Sequence, residues 1–236
     1  MSDRSAAQAA NIALLIDADN ASAEHLDAVL TVLAELGTVN IRRAYGNWSK
    51  PGLQGWSAMA HRHAIEPHQQ FDITKGKNAT DMKMTIDAMD LLFGGRVDGF
   101  GIMSSDSDFM PLAMRIRQDG LPVYGFGGAK TPEGFREACT RFIDVGALAE
   151  TNKEAPAQAK PKVDQQLVDL FGAAFRAAKR DERGFARLSE VGELAGNRSS
   201  FDVRSYGFSR LSDLIESLPN FLVEKREGGV FVKRVR

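Results

Sequence analysis

Asn11-Ile12-Ala13-Leu14-Leu15-Ile16-Asp17-Ala18-Asp19-Asn20 is an apolar run of strand length that stops at two carboxylates and an amide. In an open α/β sheet, ligands sit outside the carboxyl ends of the strands, so acids placed there point into a crevice. Phe100-Gly101-Ile102-Met103-Ser104-Ser105-Asp106-Ser107-Asp108-Phe109 repeats the design. Two strand ends that each carry Asp-x-Asp offer the carboxylate oxygens that hard divalent cations prefer. Phosphate chemistry is therefore the leading expectation.

Outward from these two stretches, apolar runs alternate with helical patterns. The first strand is expected over Ile12–Ile16, and Ser22 suits the N-cap of a helix through Glu35 with Leu26, Val29, Leu30 and Leu33 on one face. Gly37 ends that helix. Further strands are expected over Val39–Ala44, Ile65–Gln69, Gly99–Met103, Leu121–Phe126 and Arg141–Val145, with helices near Leu53–Ala64, Thr80–Phe93, Asp108–Gln118 and Pro132–Cys139. In the helix over Thr80–Phe93, Met82, Ile86, Met89 and Phe93 recur at the spacing of a core stripe, which leaves Asp87 and Asp90 to solvent. The alternation predicts an α/β fold: a parallel sheet flanked by helices through right-handed crossovers.

The chain has 236 residues, 43% of them apolar, enough for one medium domain and a small one. No apolar run approaches the length of a membrane span, and no basic segment leads an apolar one as in a signal peptide. Cys139 is the only cysteine, so neither an intramolecular disulfide nor a zinc motif is available. A cytoplasmic location and no membrane partner are the expectations.

The organisation expected is a tail over residues 1–10, a main domain over 11–149, a linker over 150–163 and a small domain over 164–236. The linker is polar and carries Pro156 and Pro161. Beyond it, Leu167, Leu170, Phe171, Ala174 and Phe175 form a helical stripe. Helices are expected over Ala186–Leu194 and Phe208–Leu218, and a hairpin turns at Glu227-Gly228-Gly229. Three helices and a terminal hairpin spell a winged helix-turn-helix. Residues 1–150 carry 14 Lys+Arg against 19 Asp+Glu, while residues 151–236 carry 16 against 12. An acidic front half suits metal binding, and a basic back half suits attraction to a polyanion.

At the strand ends, Asp17 is the favoured metal ligand, with Asp19 capping or supporting it, because a turn is expected to follow Ile16. Asp106 takes the equivalent place after the later strand, and Asp108 opens the following helix. Asn20, Ser104 and Ser105 offer an amide, hydroxyls and N–H groups to a phosphate or a water. Lys75-Gly76-Lys77-Asn78-Ala79-Thr80-Asp81 places Asp81 at a helix N-terminus, with Lys75, Lys77, Asn78 and Thr80 as candidate substrate contacts. Asp17, Asp81 and Asp106, supported by Asp108, make a cage for one or two Mg²⁺ or Mn²⁺ ions, which lower the pKa of a bound water and steady the leaving oxygen.

Three segments in this order, Leu15–Asn20, Lys77–Asp81 and Ser105–Leu112, resemble the NYN domains, nucleases with a PIN-like, Rossmannoid α/β fold. The resemblance implies that Asp17, Asp81 and Asp106 bind metal and are required for RNA cleavage, with Asp108 in support. Leu188-Ser189-Glu190-Val191-Gly192 and Tyr206-Gly207-Phe208-Ser209-Arg210-Leu211-Ser212-Asp213-Leu214 look like the OST-HTH or LOTUS winged helix. That resemblance implies binding of RNA or of a protein partner. Arg198, Arg204 and Arg210 are its candidate RNA contacts.

The expected function is a metal-dependent ribonuclease whose winged helix captures RNA. Two alternatives stand beside it: an adaptor that binds RNA or protein without cutting, and a haloacid-dehalogenase-like phosphatase in which Asp17 is the nucleophile and Asp19 a general acid. His61, His63 and His68 are expected as surface or packing residues, Met82, Met84 and Met89 as core filling, and Gly125–Gly128 as a simple turn. For Trp48 and Trp56, beside Lys50, base stacking and packing under a loop are both open. Homodimerisation is only the general prior for a soluble oligomer.

Overall fold

The computed structural model describes residues 9–71, 79–152 and 165–235. Contacts divide the chain between Thr140 and Arg141 into two compact units.

In the first unit, β1 (Asn11–Asp17) is followed by α1 (Leu26–Leu36), β2 (Thr38–Gly46), α2 (Gln54–Arg62), β3 (Glu66–Gln69), α3 (Ala79–Phe93), β4 (Gly99–Met103), α4 (Met110–Gln118), β5 (Val123–Gly127) and α5 (Glu133–Ala138). With β6 (Arg141–Asp144), the strands form one six-stranded sheet in the order β3-β2-β1-β4-β5-β6. The pairings among β1 to β5 are all parallel. The chain moves outward from β1 to β3, then crosses back to β4 on the other side of β1. The order therefore reverses between β1 and β4, and a crevice opens at their carboxyl ends.

The sequence builds this centre from apolar strands. Ile12 to Ile16 are at most 1% exposed, and every residue of β4 is buried, as strands covered on both faces require. Each such Leu or Ile contributes about 1.5–3 kcal/mol on burial. Gly37 ends α1 with its N–H on the Leu33 carbonyl, and a Cβ there would lie 2.3 Å from the Ala10 carbonyl oxygen. Only glycine fits that entry to β2.

The helix α3 differs from the expectation. Its buried residues are Thr80, Met84, Asp87, Ala88 and Leu92, whereas Met82, Ile86 and Phe93 are exposed. The apolar stripe chosen from periodicity is the outward face, and Met82 is not core filling. Asp87, expected in solvent, is 7% exposed. It accepts hydrogen bonds from Tyr45 Oη at 3.0 Å and Lys83 Nζ at 2.9 Å, with Arg43 and His68 close by. A buried carboxylate with these partners ties α3 to β2 and β3. Trp56 is buried at 2% exposure, and Trp48 donates its indole N–H to the His68 carbonyl. Both tryptophans are packing residues.

In the second unit, α6 (Val145–Asn152) and α7 (Gln165–Ala177) are followed by β7 (Ala186–Arg187), α8 (Leu188–Gly196), α9 (Leu211–Ser217), β8 (Phe221–Arg226) and β9 (Gly229–Arg234). The segment expected as a linker falls largely on residues 153–164, outside the described ones. Leu167, Phe171, Ala174, Val191, Leu214, Ile215 and Val232 build one core, with Tyr206 and Phe208 packed against it. The strands pair antiparallel in the order β7-β9-β8, which adds a short third strand where a helix start was expected. Gly207, at φ 80°, takes the left-handed turn after the short 3-10 helix Val203–Tyr206. On the sheet, the Arg226 guanidinium lies over the rings of Phe185 and Phe231 and pairs with Asp181 and Glu224.

Candidate metal centre

The crevice between the ends of β1 and β4 is where the acids gather. β1 carries its extended form one residue past Ile16, so Asp17 itself is the last strand residue, opposite Tyr45 of β2. The side chain of Asp17 is fully buried. Its Oδ2 accepts hydrogen bonds from Ser104 Oγ at 2.7 Å and Asn20 Nδ2 at 3.0 Å. Its Oδ1 is buried without a hydrogen-bond partner among the described residues. Burial pushes the Asp17 carboxyl above the usual carboxylate range, against those two hydrogen bonds.

Ser104 follows β4 and is equally buried. Its hydroxyl donates to Asp17 and accepts from the Asp106 N–H at 3.0 Å, which turns the chain after the strand. Asp106 then caps the 3-10 turn Ser107–Phe109, accepting from the Asp108 N–H at 2.9 Å through Oδ1. Asp81 enters from the first turn of α3. Asp81, Asp106 and Asp108 each bring a carboxylate oxygen within 4.8 Å of the others. Burial, and then the charges of Asp17, Asp106, Asp108 and Asp19, push the Asp81 carboxyl up to about 6.

Asp19 stands beside this group. It accepts from Thr80 Oγ1 at 3.0 Å and from Lys50 Nζ at 3.2 Å. Three segments are joined there: the turn after β1, the loop after β2 and the first turn of α3. Ser105 Oγ accepts from the Gly128 N–H at 3.1 Å, which brings the turn after β5 to the same rim.

The arrangement refines the expectations. Asp81, Asp106 and Asp108 share the outer cluster, whereas Asp17, the favoured ligand, lies buried and hydrogen-bonded to Ser104. Asp19 is hydrogen-bonded to Thr80 and Lys50. Asn20 and Ser104 hold Asp17, and Thr80 holds Asp19, so those three are positioned as supports to carboxylates. Lys75, Lys77 and Asn78 lie outside the described residues.

Sequence reasoning missed Lys50 and Gly128 at this rim. Their only signal was position, each in the loop after a strand of the sheet. His63 and His68 do stand next to carboxylates, Asp27 at 3.1 Å and both Glu66 and Asp87, but among the described residues only the three aspartates meet metal-ligand spacing. Cys139 is buried with its thiol pushed up to about 12, an inert packing residue. In the second unit, Arg198 and Arg210 are exposed, but Arg204 is not displayed for RNA. Its guanidinium is bound to Asp202 at 3.0 Å, and its side chain is 19% exposed.

Donor chemistry favours a hard cation. The cluster is oxygen-only, and a buried Asp17 oxygen is left over beside it.

The chain matches the NYN domain over residues 11–148 and the OST-HTH/LOTUS domain over residues 159–232. An uncharacterised protein of Methanocaldococcus jannaschii is 29% identical over 139 residues, covering 56% of this chain and 52% of that protein. The chain thus spans about half the length of this curated relative. A crystal structure of a protein of unknown function from Vibrio parahaemolyticus shares the fold, with a TM-score of 0.50 and 20% identity over 60% of this chain and 96% of that one. No described helix is long and apolar enough to cross a membrane. With its acids gathered where the sheet order reverses, the chain belongs to the NYN domain family and carries an OST-HTH/LOTUS domain after the NYN domain.

Proposed function

We propose that this protein is a metal-dependent ribonuclease that hydrolyses RNA phosphodiester bonds in the β1–β4 crevice. The observation that carries the reading is the convergence of Asp81 from α3 with Asp106 and Asp108 from the turn after β4, within 4.8 Å, on a crevice with a surplus buried oxygen of Asp17. Three carboxylates so close repel one another strongly unless a cation or protons intervene.

Asp81, Asp106 and Asp108 would hold Mg²⁺ or Mn²⁺. A divalent cation there supplies an activated water and balances charge on the phosphate and the leaving oxygen. Asp17 fixes Ser104 and thereby the turn that presents Asp106. Asp19 fixes the Lys50 ammonium and Thr80 at the rim, where Lys50 can meet a phosphodiester oxygen once RNA enters. Lys75, Lys77 and Asn78, just before α3, extend the same phosphate-binding role. The winged helix, with 16 basic residues against 12 acidic ones over 151–236, raises the effective concentration of RNA at the acidic catalytic domain. Arg198 and Arg210 are its phosphate contacts.

The test is cleavage of labelled single-stranded and hairpin RNAs with Mn²⁺, Mg²⁺ or EDTA, alongside Asp106→Asn. Cutting that needs metal and vanishes in the variant supports the assignment. Metal-independent RNA binding with no cutting under any condition favours the adaptor.

A further inference from the structure

The helix α3 is apolar on two faces and uses only one of them. Met84, Ala88 and Leu92 pack inward. On the opposite side Met82 is 66% exposed, Ile86 53% and Phe93 69%, with Met89 half-buried between them. A helix that is hydrophobic all round is ordinarily buried all round. Arg115 of α4 lies over the Phe93 ring, 5.5 Å from its centroid, and closes one side of the face.

Met82, Ile86, Met89 and Phe93 are spaced 4, 3 and 4 residues apart. Alternating steps of 4 and 3 are the pattern of a two-helix seam, in which each side chain enters a hole on a facing helix. We infer that the outer face of α3 is a homodimer interface, in which it packs antiparallel against α3 of a second copy of this chain about a two-fold axis.

Self-complementarity singles out this occupant. In the antiparallel alignment Met82 lies opposite the partner's Phe93 and Ile86 opposite the partner's Met89. Methionine sulfur against an aromatic ring is a favourable contact. Lys83 and Asp90 lie on the same flank of the seam, one towards each end. Antiparallel packing brings each Lys83 to the partner's Asp90, and symmetry makes that pair twice. A parallel alignment sets Asp90 against Thr85 and gains neither pair. Lys83 already meets Asp87 of its own chain, but its side chain is 38% exposed and an ammonium has three donors. Residues 1–8, 72–78 and 153–164 are unsuited to cover the face, because their only large apolar residues are Met1, Ile73 and Val163. A dimer of this kind sets the two copies of Asp81 at opposite ends of the helix pair, on the order of 20 Å apart along the axis.

Sedimentation velocity of the full chain across the micromolar range tests this directly. The expectation is a concentration-dependent dimer. Ile86→Glu should be monomeric, and at concentrations low enough that the wild-type chain is also monomeric its melting curve should be unchanged, because the residue it replaces is exposed in the protomer. Asp90→Lys, which sets lysine against Lys83 twice, should weaken association by roughly tenfold or more at low salt and by less at high salt. A monomer at every concentration would overturn the interface. So would a dimer that both variants leave intact. These readouts require no catalytic activity, so the interface and the nuclease reading stand or fall separately.

Discussion

Asp81 and Asp87 are six residues apart on one helix, and their surroundings are opposite. Asp81 has four aspartates around it, and burial with their charges pushes its carboxyl up to about 6. Asp87 is more deeply enclosed, yet its carboxyl is held below the usual range. Burial works against it, but hydrogen bonds from Lys83 and Tyr45 and the nearness of Lys83 and His68 win. One carboxylate is compensated within the protein and serves as a strut. The other lacks compensation, which makes it a place for a cation. The distinction lies in partners rather than in burial, since both are drawn away from water.

The largest effect expected from breaking this contrast is on turnover. Asp106→Asn removes a charge from the Asp81, Asp106 and Asp108 cluster and should lower cleavage by about 10³-fold or more, with RNA binding kept, as single-turnover kinetics and filter binding would show. Unchanged turnover would sink the cluster as the catalytic centre.

On the compensated side, Asp87→Ala leaves Tyr45 and Lys83 without their acceptor and should cost about 2–4 kcal/mol in urea unfolding. A loss below about 0.5 kcal/mol would show the network to be dispensable. Asp81→Asn should act in the opposite direction in metal-free protein, raising the melting temperature by about 2–4 °C, because a repelled charge is removed.

The two acids also give opposite slopes with pH. Asp81 is raised from 3.8 to about 6 on folding, so the folded chain takes up its proton first. The metal-free protein should gain stability as pH falls from above 6 towards 4, and this gain should shrink in Asp81→Asn to the part that the raised Asp17 contributes. Asp87 is lowered from 3.8, so its contribution is present above that value and is lost as pH falls through its lower folded value. Chemical denaturation across pH in the two variants separates these slopes.

The smallest effect expected is in the winged helix. Arg198→Ala with Arg210→Ala should weaken RNA binding uniformly across sequences and reduce the salt slope by about 1–2. Arg204→Ala should change that slope less, since Asp202 already holds its guanidinium.

Much of this was legible in the chain. The runs Ile12–Ile16 and Gly99–Met103 are continuous and apolar because they are buried on both faces, and the acids directly after them marked the crevice. The sequence did not separate Asp17 from Asp81, Asp106 and Asp108. That choice depends on β1 staying extended for one more residue and on Ser104 arriving from another strand. Periodicity picked out Met82, Ile86, Met89 and Phe93 on α3, but the face that meets the sheet carries Met84, Ala88 and Leu92 around the buried Asp87. Asp87 reads as a surface residue until Tyr45 and Arg43 from β2 and His68 from β3 are brought to it, and those contacts span 19 to 44 positions. Lys50 had no local signal. The strand β7 is only two residues long, too short for any pattern.

The most direct test of an uncompensated cation site is calorimetric titration of Mn²⁺ and Mg²⁺ into metal-free protein and Asp81→Asn, above and below about pH 6. The account predicts binding by the wild-type chain above that pH, weaker binding below it as protons compete, and loss of most of the affinity in the variant. Equal binding by both proteins at both pH values would contradict it.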